Sequence, residues 1–338
     1  MTKDQQQACA DALQAFYSQK KEKWSDVFNP ENGPVFEEAI GQFRKQFEGA
    51  WEAFLETNYK TEDSEGLMAA IRYILAGKGK RVRALLTLLA FDAFYDEPKD
   101  TADYAEAFGQ ACRVGIALEM IHAYSLVHDD LPCMDDDAVR RGRPSAHVQF
   151  NEAIAILAGD ALLTDGVKVL LSSGIPNTAA AVHFVLDAIG SQGMALGQAL
   201  DIGYEREGAD FDPVKAEEVH LLKTGRLFSA CLVAGFVAAG KADAKAVQML
   251  AALGLDWGLV FQMEDDLLDP QAATALGKTD GGDIEAGKQS FCRQPQEAVN
   301  KVKTACERIR TCIGGLGLDN SELSYYLTGM VYRKSEVH

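Results

Sequence analysis

Ser125-Leu126-Val127-His128-Asp129-Asp130-Leu131-Pro132-Cys133-Met134-Asp135 closes an apolar, helix-like run with three carboxylates. A second apolar run ends in the same way, in Phe261-Gln262-Met263-Glu264-Asp265-Asp266-Leu267-Leu268-Asp269. A polar group on an otherwise buried helix is costly unless something pairs with it. Carboxylates this close also repel one another, and a bound cation relieves both costs. Hard oxygen donors suit magnesium, which joins one or two carboxylates to substrate phosphates. The two clusters therefore predict two facing walls with magnesium and a phosphorylated substrate between them.

A helix turns by about 100° per residue, so Asp265 and Asp269 share a face and Asp266 points to a flank. Pro270 follows at once, which suits a helix ending at the mouth of a site. The first cluster is different. Asp129 and Asp135 stand about 120° out of register on a straight helix, and Pro132 disfavours helical backbone at Leu131. The helix is predicted to stop or bulge near Leu131 and so to return Asp135 toward Asp129.

Outward from these clusters, nearly every segment has helical rather than alternating periodicity. Residues 29–34, Asn-Pro-Glu-Asn-Gly-Pro, separate an N-terminal helix from one running to about Tyr59. Asp96-Glu97-Pro98-Lys99 ends a helix that starts near Arg81, and a long helix follows from about Asp103 to Asp130. Asp212-Pro213 sets a capping residue before a proline at the first helical position. Gly240 to Asp243 separates two further helices, and Pro270 to Ser290, rich in Gly, Asp and Lys, reads as a mobile loop. The pattern shows no strand alternation and no repeat. It predicts an all-α protein of roughly ten to thirteen helices. Residues 35–338 form a single domain on this reading, and residues 1–34 are an appended helical segment.

The bulk numbers bound the function. With 338 residues and a 47% apolar composition, the chain has ample material for a core. A formal charge of −17 argues against nucleic acid or anionic membrane as partners. No apolar run reads as long enough for a membrane span, so no stable insertion is expected. The N-terminus shows neither a signal-peptide core nor arginine-rich transit character. Seven cysteines, an odd number without CxxC spacing, point to reduced and mostly buried thiols in a cytoplasmic protein.

An acidic protein that binds phosphate needs local cations. Gly79-Lys80-Arg81-Val82-Arg83 opens a helix, where backbone N–H groups with Lys80 and Arg83 on a shared face would cradle a diphosphate. Arg140-Arg141-Gly142-Arg143 follows the first acidic cluster. Lys223-Thr224-Gly225-Arg226, Lys278 and Lys288 add more positive charge.

Taken together, these residues resemble the trans-isoprenyl diphosphate synthases, in particular short-chain enzymes of the bacterial farnesyl diphosphate synthase type. That family carries GGKR-x-R, a first DDxx(xx)D followed by RRG, a KTG and an FQxxDDxxD. Residues 78–83, 129–142, 223–225 and 261–269 match them in order, as do Leu157-Ala158-Gly159-Asp160-Ala161 and Gly197-Gln198-Ala199-Leu200-Asp201. The likeness covers about residues 65 to 334. Lys78 replaces the first glycine of GGKR, and Ala84 replaces the usual proline after the second arginine. The segment before about residue 60 is longer than in the compact bacterial enzymes.

The resemblance implies the isoprenoid synthase fold, with its helices bundled around a central cavity, a homodimer, and condensation of isopentenyl diphosphate with allylic diphosphates such as dimethylallyl and geranyl. Magnesium, as three ions with the substrate diphosphate, would stabilise the leaving group. By the same likeness Asp129, Asp135 and Asp265 are magnesium ligands, and Asp130 and Asp269 are ligands or stand just behind them. Arg140, Lys223, Lys288 and Gln262 match positions that hold the allylic diphosphate, with Thr224 and Lys278 beside them. Lys80, Arg83, His122 and Arg141 match the isopentenyl diphosphate site, and the 270–290 loop is a lid. Tyr124 and Ser125, about one turn below Asp129, set the product length. A floor at Tyr124 gives a fifteen-carbon farnesyl product; ordinary packing by Tyr124 and a lower floor give a twenty-carbon geranylgeranyl product. A class I terpene cyclase and a non-catalytic prenyltransferase subunit are the competing readings. The second DDxxD disfavours the first, and retention of both clusters disfavours the second.

Overall fold

The computed structural model describes residues 32–60, 65–207, 211–276, 291 and 294–333. Most of the expected N-terminal segment, together with Lys278 and Lys288, lies outside them. In chain order the helices are α1 (Gly33–Asn58), α2 (Leu67–Leu75), α3 (Val82–Phe94) and α4 (Ala102–Asp129). A two-stranded hairpin follows, β1 (Val139–Arg140) and β2 (Arg143–Pro144), then α5 (Ala146–Gln149) and α6 (Glu152–Leu171). Next come α7 (Thr178–Ile189), α8 (Met194–Glu207) and α9 (Pro213–His220), which continues through a π-helical turn at Leu221–Gly225 into α10 (Arg226–Ala238). The chain ends with α11 (Ala244–Leu276), α12 (Pro295–Gly315) and α13 (Glu322–Arg333). The all-α expectation holds.

The predicted punctuation is physical. Thr101 caps α4 by accepting the Tyr104 N–H, Asp212 caps α9 by accepting that of Val214, and Asp243 accepts that of Ala246. Three readings change. First, α11 runs through Pro270 to Leu276. Proline removes one helical hydrogen bond, and a helix this long continues past the loss. Second, the short hairpin was not foreseen, because two-residue strands leave no alternation to read. Third, Thr178–Tyr204, Pro213–Ala238 and Ala244–Asp266 are each long and apolar enough, by length and composition, to cross a membrane. The sequence reading counted uninterrupted apolar runs, whereas these stretches average out one or two charges. In the fold 78% of the Pro213–Ala238 window is buried, as expected for a helix apolar on every side inside a core.

The chain forms two compact units. One comprises Ala39–Val182 with Ala234–Ala242; its axis is α4, packed against α3 and α6. From Val114 to Ile121 every α4 residue is buried. Gly115 permits the close crossing, since a Cβ there would sit 3.2 Å from Ala84 Cβ and 3.1 Å from Phe47. Phe91, Tyr104 and Phe108 fill the gap between α3 and α4 with offset and edge-on ring contacts.

The other unit comprises His183–Val233 and Asp243–His338, with the chain up to Glu38. Here α11 packs on α12 and on the π turn. A Cβ on Gly258 would stand 2.6 Å from Gly225 Cα, so these two backbones touch only because both residues are glycine. Trp257, fully buried, donates its indole N–H to Leu327 O at 2.9 Å and meets Phe228 edge-on.

Candidate active site

The first acidic cluster turns back on itself. Helix α4 ends at Asp129, the Leu131 N–H bonds His128 O, and the Asp135 N–H reaches back to Asp129 O at 2.8 Å. Leu131 anchors the turn among buried Val127, Ala146 and Ala155, with Met134 packed against them. The return of Asp135 predicted from Pro132 is thus a real backbone turn. Asp130 takes a different part. It is 3% exposed and accepts two hydrogen bonds from Arg140, one from Nε at 2.8 Å. Arg140 also holds Asp137 at 2.9 Å. Burial holds the Asp130 carboxyl above the usual carboxylate range, with Arg140 opposing the rise.

The arginines converge on one cleft of about 650 Å³, open mouth included, lined by Arg81, Arg140, Arg141, Arg143, Glu119 and His122. The hairpin delivers Arg140, Arg141 and Arg143. Its central residues Arg141 and Gly142 have φ of 54° and 74°, with Arg140 paired to Arg143 across the turn. Positive φ at both central positions defines a type I′ turn. Arg141 therefore stands at the tip, and its guanidinium covers Gly79, where a Cβ would lie 2.9 Å from Nη1. Arg143 stacks on Tyr73, 3.8 Å from the ring centre. Burial first, then Arg83, Arg141, Arg140 and Arg81, drive the His122 pKa well below its ordinary value, so the ring is neutral.

The start of α3 departs from expectation. Arg81 is left-handed (φ 49°), and the helix begins only at Val82. Lys80 thus precedes the helix and shares no helical face with Arg83. The N–H groups of Arg83 and Ala84 are already bonded to Glu119 Oε1, at 3.1 and 3.2 Å. Side chains, not the helix N-terminus, are what this segment offers an anion. Glu119 was missed in the sequence. Its one signal was a lone acid within the apolar run, three residues before His122.

In the second unit, Lys223 lies on the π turn and bonds Asp201 Oδ2 at 2.8 Å, joining two of the sequence motifs. Gly197 makes room for it: a Cβ there would lie 2.3 Å from Lys223 N. Thr224 Oγ1 donates to Gln262 Oε1 at 3.1 Å, and Gln262 Nε2 to Asp266 Oδ1 at 3.4 Å. Asp266 also accepts the Phe291 N–H at 3.0 Å and pairs with His220 at 3.3 Å. It is a buried carboxylate tied to three neighbours. Asp265 stands half-buried on the face expected to meet a metal. The Asp269 side chain lies outside the described residues.

On α4, the Tyr124 ring sits edge-on to His128, and burial, then Asp129, raises its hydroxyl to about 12. Ser125 donates to His122 O at 2.9 Å. Among the described residues no three of His, Cys, Asp and Glu stand close enough to hold a metal by themselves. That suits magnesium, which completes its shell with substrate phosphate and water. The Asp129–Asp135 turn supplies the hard oxygens it prefers.

The polyprenyl synthetase profile matches residues 64–314. The chain belongs to the polyprenyl synthetase family. It is 34% identical to a farnesyl diphosphate synthase of Bacillus subtilis, over 80% of this chain and 90% of that protein. It is 37% identical to geranylgeranyl pyrophosphate synthase 11, chloroplastic, of Arabidopsis thaliana, over 71% of this chain and 66% of that one. The crystal structure of a geranyltransferase from Helicobacter pylori, complexed with magnesium and isoprenyl diphosphate, superposes with a TM-score of 0.71 at 29% identity. That match covers 87% of this chain and 96% of the other.

The fold is thus the one shared by isoprenoid synthases. Two of the departures from the polyprenyl synthetase pattern fall on described residues. Lys78 is absent from the residues with positive φ, so lysine in place of glycine strains nothing there. Ala84, by contrast, contributes an N–H that proline lacks.

Proposed function

We propose that this protein is a trans-prenyltransferase that condenses isopentenyl diphosphate with dimethylallyl and geranyl diphosphates to give farnesyl diphosphate. One observation carries the reading. The cleft holding Arg141, Arg81 and His122 adjoins the acidic turn on the same helix, α4. A cation-lined cleft for one diphosphate beside carboxylates for another is what a two-substrate condensation needs. A cyclase, which ionises a single diphosphate, has no use for the first.

Asp129 and Asp135 would hold magnesium, as would Asp265, with three ions on the allylic diphosphate. Magnesium when bound supplies a Lewis acid for the charge that develops on the leaving oxygen. Lys223, fixed by Asp201, and Arg140, fixed by Asp130, each present a held cation to a diphosphate. Arg83, Arg141, Lys80 and neutral His122 bind isopentenyl diphosphate and orient its double bond toward the allylic carbon. Neutrality matters at His122, because the ring donates a hydrogen bond without adding to four nearby positive charges. The proton lost after bond formation goes to the departing diphosphate, so no side-chain base is required. The carbocation survives only where water is excluded.

Product length is set by Tyr124, whose half-buried ring lies on α4 five residues before Asp129 and floors the tail pocket at fifteen carbons. The active form is a homodimer. Exposed Ile156, Leu157 and Leu171 fall within about 100° of one another on α6 and would be covered by it.

The test is incubation with geranyl diphosphate, isopentenyl diphosphate and magnesium, followed by product chromatography. Farnesyl diphosphate is the expected product. A hydrocarbon from prenyl diphosphate alone would mean a cyclase, and no turnover would mean a non-catalytic subunit. Light scattering reads the dimer.

A further inference from the structure

Ala84 stands where the family pattern has proline, and the difference uncovers a role for Glu119. Helix α3 begins without a local cap. Its N-cap residue, Arg81, makes no capping bond and instead lays its guanidinium over Trp51, 4.3 Å from the ring centre, with Glu48 at 3.3 Å. The first turn of any helix has N–H groups with no partner inside the helix. Here those of Arg83 and Ala84 are satisfied from α4, by a carboxylate only 5% exposed. A carboxylate buried so deeply is tolerated because it sits on hydrogen-bond donors at the positive end of a helix.

The segment that Glu119 holds is under strain. Left-handed backbone is costly for a residue with a side chain and persists only where its surroundings fix it. Arg81 adopts it between Lys80 and Arg83. Glu119 also faces the cleft, three residues before His122, and its charge acts on Arg141.

We propose that Glu119 is a positioning residue for the isopentenyl diphosphate subsite. It clamps the first turn of α3 and so sets where Lys80 and Arg83 stand. Two hydrogen bonds do here what a proline ring at residue 84 does covalently. The inference rests on the prenyltransferase reading above.

Two conservative variants separate the clamp from the charge. Glu119→Gln keeps the reach and an accepting oxygen but loses the charge. Glu119→Asp keeps the charge but falls short of the two N–H groups. Steady-state kinetics on each, varying one substrate at saturating amounts of the other, are read beside thermal melting. Glu119→Asp is expected to raise KM for isopentenyl diphosphate about tenfold. KM for geranyl diphosphate stays within about twofold, and Glu119→Gln stays within about threefold of wild type for both substrates. The clamp is overturned if Glu119→Gln is the more damaged variant, if both substrates' KM values rise together with a lowered melting point, or if neither variant differs from wild type. A wild-type protein that forms no prenyl diphosphate would instead sink the prenyltransferase reading itself.

Discussion

Asp135 donates its amide to the carbonyl of Asp129 at 2.8 Å, closing a turn that brings together the backbones of two aspartates of one motif although they are six residues apart. The turn depends on Pro132 stopping the helix and on Leu131 being buried beneath it. Asp135→Ala should leave the fold intact, because Asp135 is half-buried and its backbone bond survives the substitution. It should lower kcat by about a hundredfold or more, the usual effect of removing one preorganised electrostatic group. The magnesium concentration for half-maximal rate should rise as well. A magnesium titration of the variant that overlays wild type would remove Asp135 from the metal site.

Gly197 carries a prediction about Lys223. A Cβ at residue 197 would lie 2.3 Å from the lysine's backbone nitrogen. Gly197→Ala must therefore push the π turn away from α8 and disturb the Lys223–Asp201 pair. Overpacking of this kind costs about 1–3 kcal/mol. The melting temperature should fall, and KM for the allylic diphosphate should rise. If melting falls and KM does not, the glycine serves packing alone.

The fold class was readable because helical periodicity persists along the chain, and the acidic turn because proline at residue 132 disfavours helical backbone at Leu131. The cationic residues were readable as candidates, but their supports were not. Asp130 reads as a ligand or as a residue just behind one, and the sequence does not show that Arg140 holds it. Nothing local in the sequence says that two residues ten apart will pair through a hairpin. Glu119 was invisible for a similar reason, since it acts on backbone N–H groups 35 and 36 residues away. Sequence pattern reports on neighbours along one helix. Capping from another helix is a fact of packing.

Tyr124 is the proposed floor of the tail pocket. Tyr124→Ala should shift the main product from fifteen toward twenty carbons with little change in KM for isopentenyl diphosphate. Product chromatography reads this directly. An unchanged fifteen-carbon product would move the floor elsewhere.

His122 predicts a pH dependence of stability. Burial and the surrounding arginines keep its folded pKa well below the unfolded value of about 6.5. Below that pH the unfolded chain binds a proton that the folded chain refuses. The stabilisation is therefore complete above about pH 6.5 and is lost as pH falls through the acid range, by at most about 1.4 kcal/mol per pH unit. Denaturant melts at about pH 7.5 and about pH 5.5 should show a smaller acid loss in His122→Gln than in wild type. Equal losses would mean that His122 is protonated in the folded protein.

Arg141 sets stability against function at one position. It holds φ 54° at the first central place of a type I′ turn, where asparagine is favoured and arginine is strained. Its guanidinium nevertheless has to reach over Gly79 and into the cleft. Arg141→Asn should relieve part of the left-handed cost, which is about 1–2 kcal/mol for most residues. It also removes a guanidinium whose burial lowers its pKa, a cost that the attraction of Glu119 only partly offsets. The variant should therefore melt higher than wild type while its KM for isopentenyl diphosphate rises about tenfold or more, as loss of a charged hydrogen-bond partner implies. The two changes must appear together. A variant that melts higher with unchanged KM would show that Arg141 does not touch the substrate. One that melts lower would show that the hairpin is held by the arginine side chain and not by the conformation of its backbone.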